Sequence, residues 1–121
     1  MKIRLFVNSE NFETYGAEET IFSAGDAGDV MYALVEGEVE ITLNGRRIDL
    51  LTEGDIFGEM ALVDNSPRSG SAVALTDVKV VPIDQKRFEF TVQNNPHFAT
   101  QVLSIMANRL RRLMNEVSDT P

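Results

Sequence analysis

Glycine recurs at Gly16, Gly25, Gly28, Gly37, Gly45, Gly54, Gly58 and Gly70, between short stretches of β-branched and aromatic residues. Punctuation at that spacing leaves room only for short strands joined by turns, the pattern of a sandwich, roll or barrel. The run from Val30 to Val35 is nearly all apolar, as expected of a strand buried on both faces. After Gly37 the sequence alternates, with Val39, Ile41 and Leu43 on one side and Glu38, Glu40 and Thr42 on the other. Asn44-Gly45 predicts a two-residue hairpin turn, and Ile48 and Leu50 are expected to point inward on the return strand. Val73 and Leu75 alternate again, and Val78, Val80, Val81 and Ile83 follow near the end of the β region.

At Asp84 the period changes. Asp84 can cap a helix whose face carries Phe88 and Val92, and Asn94-Asn95 before Pro96 should stop it. Asn95 can cap the next helix, with Pro96 at its first position. Leu103, Met106, Leu110, Leu113 and Val117 then form a heptad-like stripe, while Phe98, Val102, Leu103 and Ile105 are expected to pack on the β region. The expectation is a mainly β chain with flanking C-terminal helices, its 121 residues forming one domain. The β part covers about 12–83, the helices about 84–117, and the tail Ser118–Pro121 is expected to fray.

Composition narrows the function. A hydrophobic fraction of 43% with 25% charged residues suits a folded domain with its own core. The absence of cysteine excludes disulfides, thiolate metal sites and a cysteine nucleophile, and agrees with a cytoplasmic setting. No run approaches the ~18–20 apolar residues of a membrane span, and the basic start Met1–Val7 lacks the apolar core of a signal peptide. A formal net charge of −8 repels nucleic acid and acidic membrane. Any anionic ligand must therefore be held by a local device of amides and an arginine.

The segment from Gly54 to Ala72 contains the parts of such a device. Gly58 lets the backbone turn closely, and Glu59–Val63 can form a short helical turn whose free amides face an anion. Pro67 stiffens the chain before Arg68, whose guanidinium suits two phosphate oxygens, and Ser69 and Ser71 offer hydroxyls. Glu59 fits an anion site only if it accepts a hydroxyl proton, as from a sugar.

The string Phe57-Gly58-Glu59-Met60-Ala61-Leu62, followed by Pro67-Arg68-Ser69, resembles the phosphate-binding cassette of the cyclic-nucleotide-binding domain family. That family includes the catabolite activator protein, regulatory subunits of protein kinase A and cyclic-nucleotide-gated channels. The resemblance covers roughly Phe12 to Val117, including turns at Gly25-Asp26, Glu36-Gly37 and Gly54-Asp55 and the Asn95-Pro96 opening of a final helix. It implies an antiparallel eight-stranded β-roll (a jelly roll, or double-stranded β-helix) with a short cassette helix and C-terminal helices. It further implies a cyclic nucleotide as ligand, cAMP or else cGMP, with no other cofactor. The phosphate would lie at Gly58, Met60 and Ala61 behind Phe57, paired with Arg68. Glu59 would take the ribose 2′-hydroxyl, and Ser69 the phosphate or base. The final helix would close over the base with Leu113 and Met114, where some relatives place hydroxyls.

Two further departures accompany the resemblance. Residues 2–7 read as extended where the family carries a helix, and no helix-turn-helix, kinase-inhibitory segment or channel follows the last helix. The output is thus expected from a partner protein, a missing domain or a change of oligomeric state, the final helix forming a weak homodimer seam. The chain is expected to be a sensor without catalytic residues. His97 is the only histidine and cannot build a cupin-type metal site or a catalytic triad, and Glu36, Glu38 and Glu40 read as a solvated face. Arg109, Arg111 and Arg112 could suggest nucleic acid, but Glu116 stands four residues after Arg112 as a partner. The alternatives are an interaction module that kept the roll without the ligand, and a cupin-like metal enzyme.

Overall fold

A computed structural model describes residues 2–118, and of Val117 and Ser118 only the backbone. In it, Asn44 and Gly45 take left-handed φ values of 53° and 78°. Two successive positive φ angles make the primed turn whose twist suits a two-residue hairpin. The turn joins β4 (Val39–Leu43) to β5 (Arg46–Leu51). The other strands among the described residues are β1 (Glu13–Tyr15), β2 (Thr20–Phe22), β3 (Val30–Glu36), β6 (Ile56–Phe57), β7 (Ser71–Ala74) and β8 (Val78–Asp84). A short helix α1 (Met60–Asp64) interrupts them, and α2 (Gln85–Asn94) and α3 (His97–Ser118) follow. All pairings are antiparallel, in two four-stranded sheets ordered β1-β8-β3-β6 and β2-β7-β4-β5. This is the eight-stranded β-roll.

The apolar run of β3 has the predicted cause. Tyr32 and Leu34 face the second sheet, packing with Val39, Leu51, Phe57, Ala72, Ala74, Val78 and Val80. Their neighbours Met31 and Ala33 face outward into a second core, with Ile56, Val81, Ile83 and the α3 residues Phe98, Val102 and Ile105. Asp84 caps α2, its Oδ1 accepting from the Arg87 amide at 2.8 Å. The α2 helix packs Phe88 and Val92 against the outer core and ends at Asn94.

Three expectations are corrected. The extended reading of residues 2–7 fails over residues 5–8, which turn, Val7 and Ser9 donating to the Arg4 and Phe6 carbonyls at 3.3 and 3.1 Å. The resulting turn buries Ile3 and Phe6 in the outer core, Phe6 edge-on to Phe98. On β5, Leu50 is exposed, Ile48 is half-buried, and Asp49 and Leu51 are the buried pair. The register slips between Ile41, opposite Asp49, and Thr42, opposite Arg47, so Ile48 is an extra residue. On α3, Leu103 is 66% exposed, while Phe98, Val102 and Ile105 make the packed face. The side chain of Val117, and the tail beyond Ser118 for which fraying was expected, lie outside the described residues.

Candidate functional site

The chain leaves β6 through Gly58, whose φ of 76° favours glycine. A Cβ there would also meet Arg68 Nη1 at 2.7 Å. From this turn α1 runs outward with Glu59 at its cap position. The Ala61 amide makes a long 3.3 Å bond to the Gly58 carbonyl. Beneath the turn, between the cassette, strands β4 and β5, and α3, lies a cavity of about 340 Å³. That is within the ~300–1,000 Å³ typical of small-molecule sites.

Arg68 forms its charged wall. The residue is 8% exposed, with Nη1 donating to the Gly58 carbonyl at 2.9 Å and Nη2 to the Val30 carbonyl at 2.7 Å. Its guanidinium lies 4.2 Å from the Phe22 ring centre, and Phe22 adjoins the stacked Tyr32 and Phe57. The loop before β3 clasps its backbone, the Arg68 amide donating to Asp26 O and its carbonyl accepting from the Gly25 amide. Gly28 makes room, since a Cβ there would lie 2.5 Å from Arg68 Nε. Among the described residues no carboxylate pairs with this guanidinium. A buried cation is costly without a compensating anion, and a phosphate is a matched one.

Across the cavity stands a second charged group. Glu59 Oε1 accepts from Arg109 Nη1 at 3.0 Å, and Arg109 Nη2 donates to the Ile56 carbonyl at 2.7 Å. Arg109 Nε lies 2.8 Å from Asp49 Oδ2, close enough for an ion pair but without hydrogen-bond geometry. Asp49, 4% exposed, also accepts from Arg112 Nη1 at 2.9 Å. In a chain of net charge −8, two arginines, Arg68 and Arg109, thus line one cavity, and Arg112 reaches the same Asp49 from outside it.

Of the predicted site residues, Phe57, Gly58, Glu59, Met60, Ala61, Arg68, Ser69 and Leu113 line this cavity together. Met114 is exposed and not among its lining, and Ser71 instead accepts from the Ala24 amide at 2.9 Å. Asp49 and Arg109 line the cavity but were missed as site residues. Asp49 was hidden by the assumption of unbroken alternation through β5. Arg109 was hidden because its partners lie 50 and more residues away. Two broader grooves of about 510 Å³ lie where Lys2 and Arg4 meet the loops and α3, but neither contains a buried charge among its lining.

Burial raises the Tyr32 pKa above the ordinary value, with Glu13 adding and Arg68 opposing. The Tyr15 hydroxyl, hydrogen-bonded to Glu13 at 3.0 Å, is also raised, by burial first and by that bond second.

Comparison with known proteins gives matches over this same region. The profile described as "Cyclic nucleotide-binding domain" matches residues 12–95. The CRP-like cAMP-activated global transcriptional regulator of Mycobacterium tuberculosis is 32% identical over 108 residues, 83% of this chain and 47% of that protein. A cGMP-dependent protein kinase of Toxoplasma gondii is 33% identical over 93 residues, 77% of this chain and 9% of that protein. The crystal structure of Thermus thermophilus catabolite activator protein superposes with a TM-score of 0.76 at 31% identity, covering 89% of this chain and 53% of that one. The chain spans about half or less of the length of these relatives. Among the described residues, no helix is long and apolar enough to cross a membrane.

Proposed function

This chain belongs to the cyclic-nucleotide-binding domain family, and we propose that its 121 residues act as one sensor module for cAMP. The observation that carries the reading is Arg68, a buried guanidinium that lines one cavity together with Gly58 and Glu59. In this reading the cyclic phosphate sits against Arg68 and the amides of Gly58, Met60 and Ala61, with Phe57 behind. Glu59 takes the ribose 2′-hydroxyl, Ser69 contacts phosphate or base, and Leu113, with Met114 after a shift of α3, covers the base.

The ligand biases α3 only as far as it binds two arrangements of that helix differently. Output then passes to a partner protein or another domain, or through a weak homodimer formed by α3. No catalytic step is part of the reading, and its setting is the cytoplasm. cGMP is the competing ligand, since the apolar base side supplied by Leu113 offers no hydroxyl to select adenine. Calorimetric titration with cAMP and cGMP tests the reading. Saturable binding of one cyclic nucleotide per chain, cAMP tighter, is expected. No heat with either at millimolar concentration would leave an interaction module on the same roll.

A further inference from the structure

The α3 helix is held by two different chemistries along its length. From Phe98 to Ile105 it is anchored by apolar side chains buried at 6% exposure or less. Beyond Ile105 the apolar anchoring fades. Met106 is only partly buried, Leu110 and Met114 are more than half exposed, and Leu113 lines the cavity. What holds this second half is charge. Arg109 and Arg112, three residues apart and so on one helix face, both reach Asp49, at 2.8 and 2.9 Å.

Asp49 is an unusual anchor for a strand. It is 4% exposed, placed inward by the extra residue Ile48. Apart from a bond from the Leu50 amide at 3.0 Å, its hydrogen-bond and ion-pair partners among the described residues come from α3. A buried carboxylate is tolerable only with such partners, and removing them is strongly destabilising. The junction therefore ties the position of the helix to β5. It also extends into the site, because the same Arg109 guanidinium carries Glu59.

We propose that Asp49 is a positioning residue that holds the second half of α3 over the cavity and, through Arg109, sets the place of the Glu59 carboxylate. The second half of this statement rests on the cyclic-nucleotide reading; the first does not.

Amide hydrogen exchange on the ligand-free chain tests the hold on α3. In Asp49→Asn, exchange over residues 107–116 should quicken roughly tenfold or more, while residues 98–105 stay protected. Arg112→Gln, at a side chain 61% exposed, leaves Arg109 on Asp49 and should give a smaller change over the same residues. It also provides the reading if Asp49→Asn does not fold. Unchanged exchange over 107–116, or uniform quickening across all of α3, would overturn the proposal. The place of Glu59 is tested by the ratio of affinities for cAMP and 2′-deoxy-cAMP, expected to fall roughly tenfold in Asp49→Asn and less in Arg112→Gln. A ratio equal to wild type in every variant that folds removes Asp49 from the site. A wild-type chain that binds neither nucleotide refutes the functional reading and with it the Glu59 role, while the exchange result still judges the hold on α3.

Discussion

Arg68→Ala removes the guanidinium that spans the Gly58 and Val30 carbonyls, so two losses should be measurable. Taking the charged partner from a bound phosphate typically costs ~2–5 kcal/mol, roughly 30-fold to a few thousand-fold in affinity. Calorimetry on the variant should give that fall, and binding within twofold of wild type would refute the phosphate role. The fold should also weaken, by ~1–3 kcal/mol, because two carbonyls lose a charged donor. The sequence marks Arg68 as a phosphate partner but gives no sign of its burial. Its burial comes from contacts with Gly28 and the 25–26 loop, 40 residues away. The tyrosines supply a test by pH. Tyr15 and Tyr32 have folded pKa values above the ordinary 10.0, so on raising pH the unfolded chain releases these protons first. Their contribution to stability is complete below about pH 10 and is lost as pH rises through 10 toward the folded values. Denaturant midpoints should therefore drop as pH rises above about 10, and Tyr15→Phe should flatten the decline. An equal drop in Tyr15→Phe would show that Tyr15 is not its source.

At the scale of elements, α3 presents Leu103, Leu110 and Met114 to solvent, all more than half exposed. A parallel pairing of two chains through residues 106–117 would cover Leu110 and Met114. Two heptads make a short coiled coil on their own, so weak association at high micromolar concentration is expected. Sedimentation at several concentrations, with and without cAMP, should detect it, and Leu110→Glu should abolish it. A monomer throughout, indifferent to Leu110→Glu, would leave α3 acting as a lid within one chain. Elements were legible where local chemistry alone decides them. Asp84 capped its helix, Asn44-Gly45 made its hairpin, and β3 was buried on both faces. The cassette was legible as a motif, and eight of the nine residues proposed with it, all but Met114, line the cavity. What escaped was decided at a distance. Nothing in Arg46–Leu51 announces that its ladder gains a residue opposite β4, and from that slip follow the inward turn of Asp49 and the junction it makes with α3.

For the whole molecule, ligand binding should appear as added stability. At cAMP ~100-fold above its dissociation constant, linkage gives ~2.7 kcal/mol, on the order of ten degrees in melting temperature for a chain this size. Thermal unfolding followed by circular dichroism with and without cAMP should show it, and no shift with millimolar cAMP or cGMP would count against any nucleotide site. The sheet β1-β8-β3-β6 has a different consequence, because it is a wall shared by two rooms. Sequence similarity to the family profile ends at residue 95, after the strands, the cassette and α2. A fragment cut there would retain the recognisable motif but lose Phe98, Val102 and Ile105, the lining that keeps Met31, Ala33, Val81 and Ile83 dry. Such a fragment would present a greasy plate to water and should precipitate instead of binding anything. The stretch that the family profile matches is shorter than the stretch that closes the outer core.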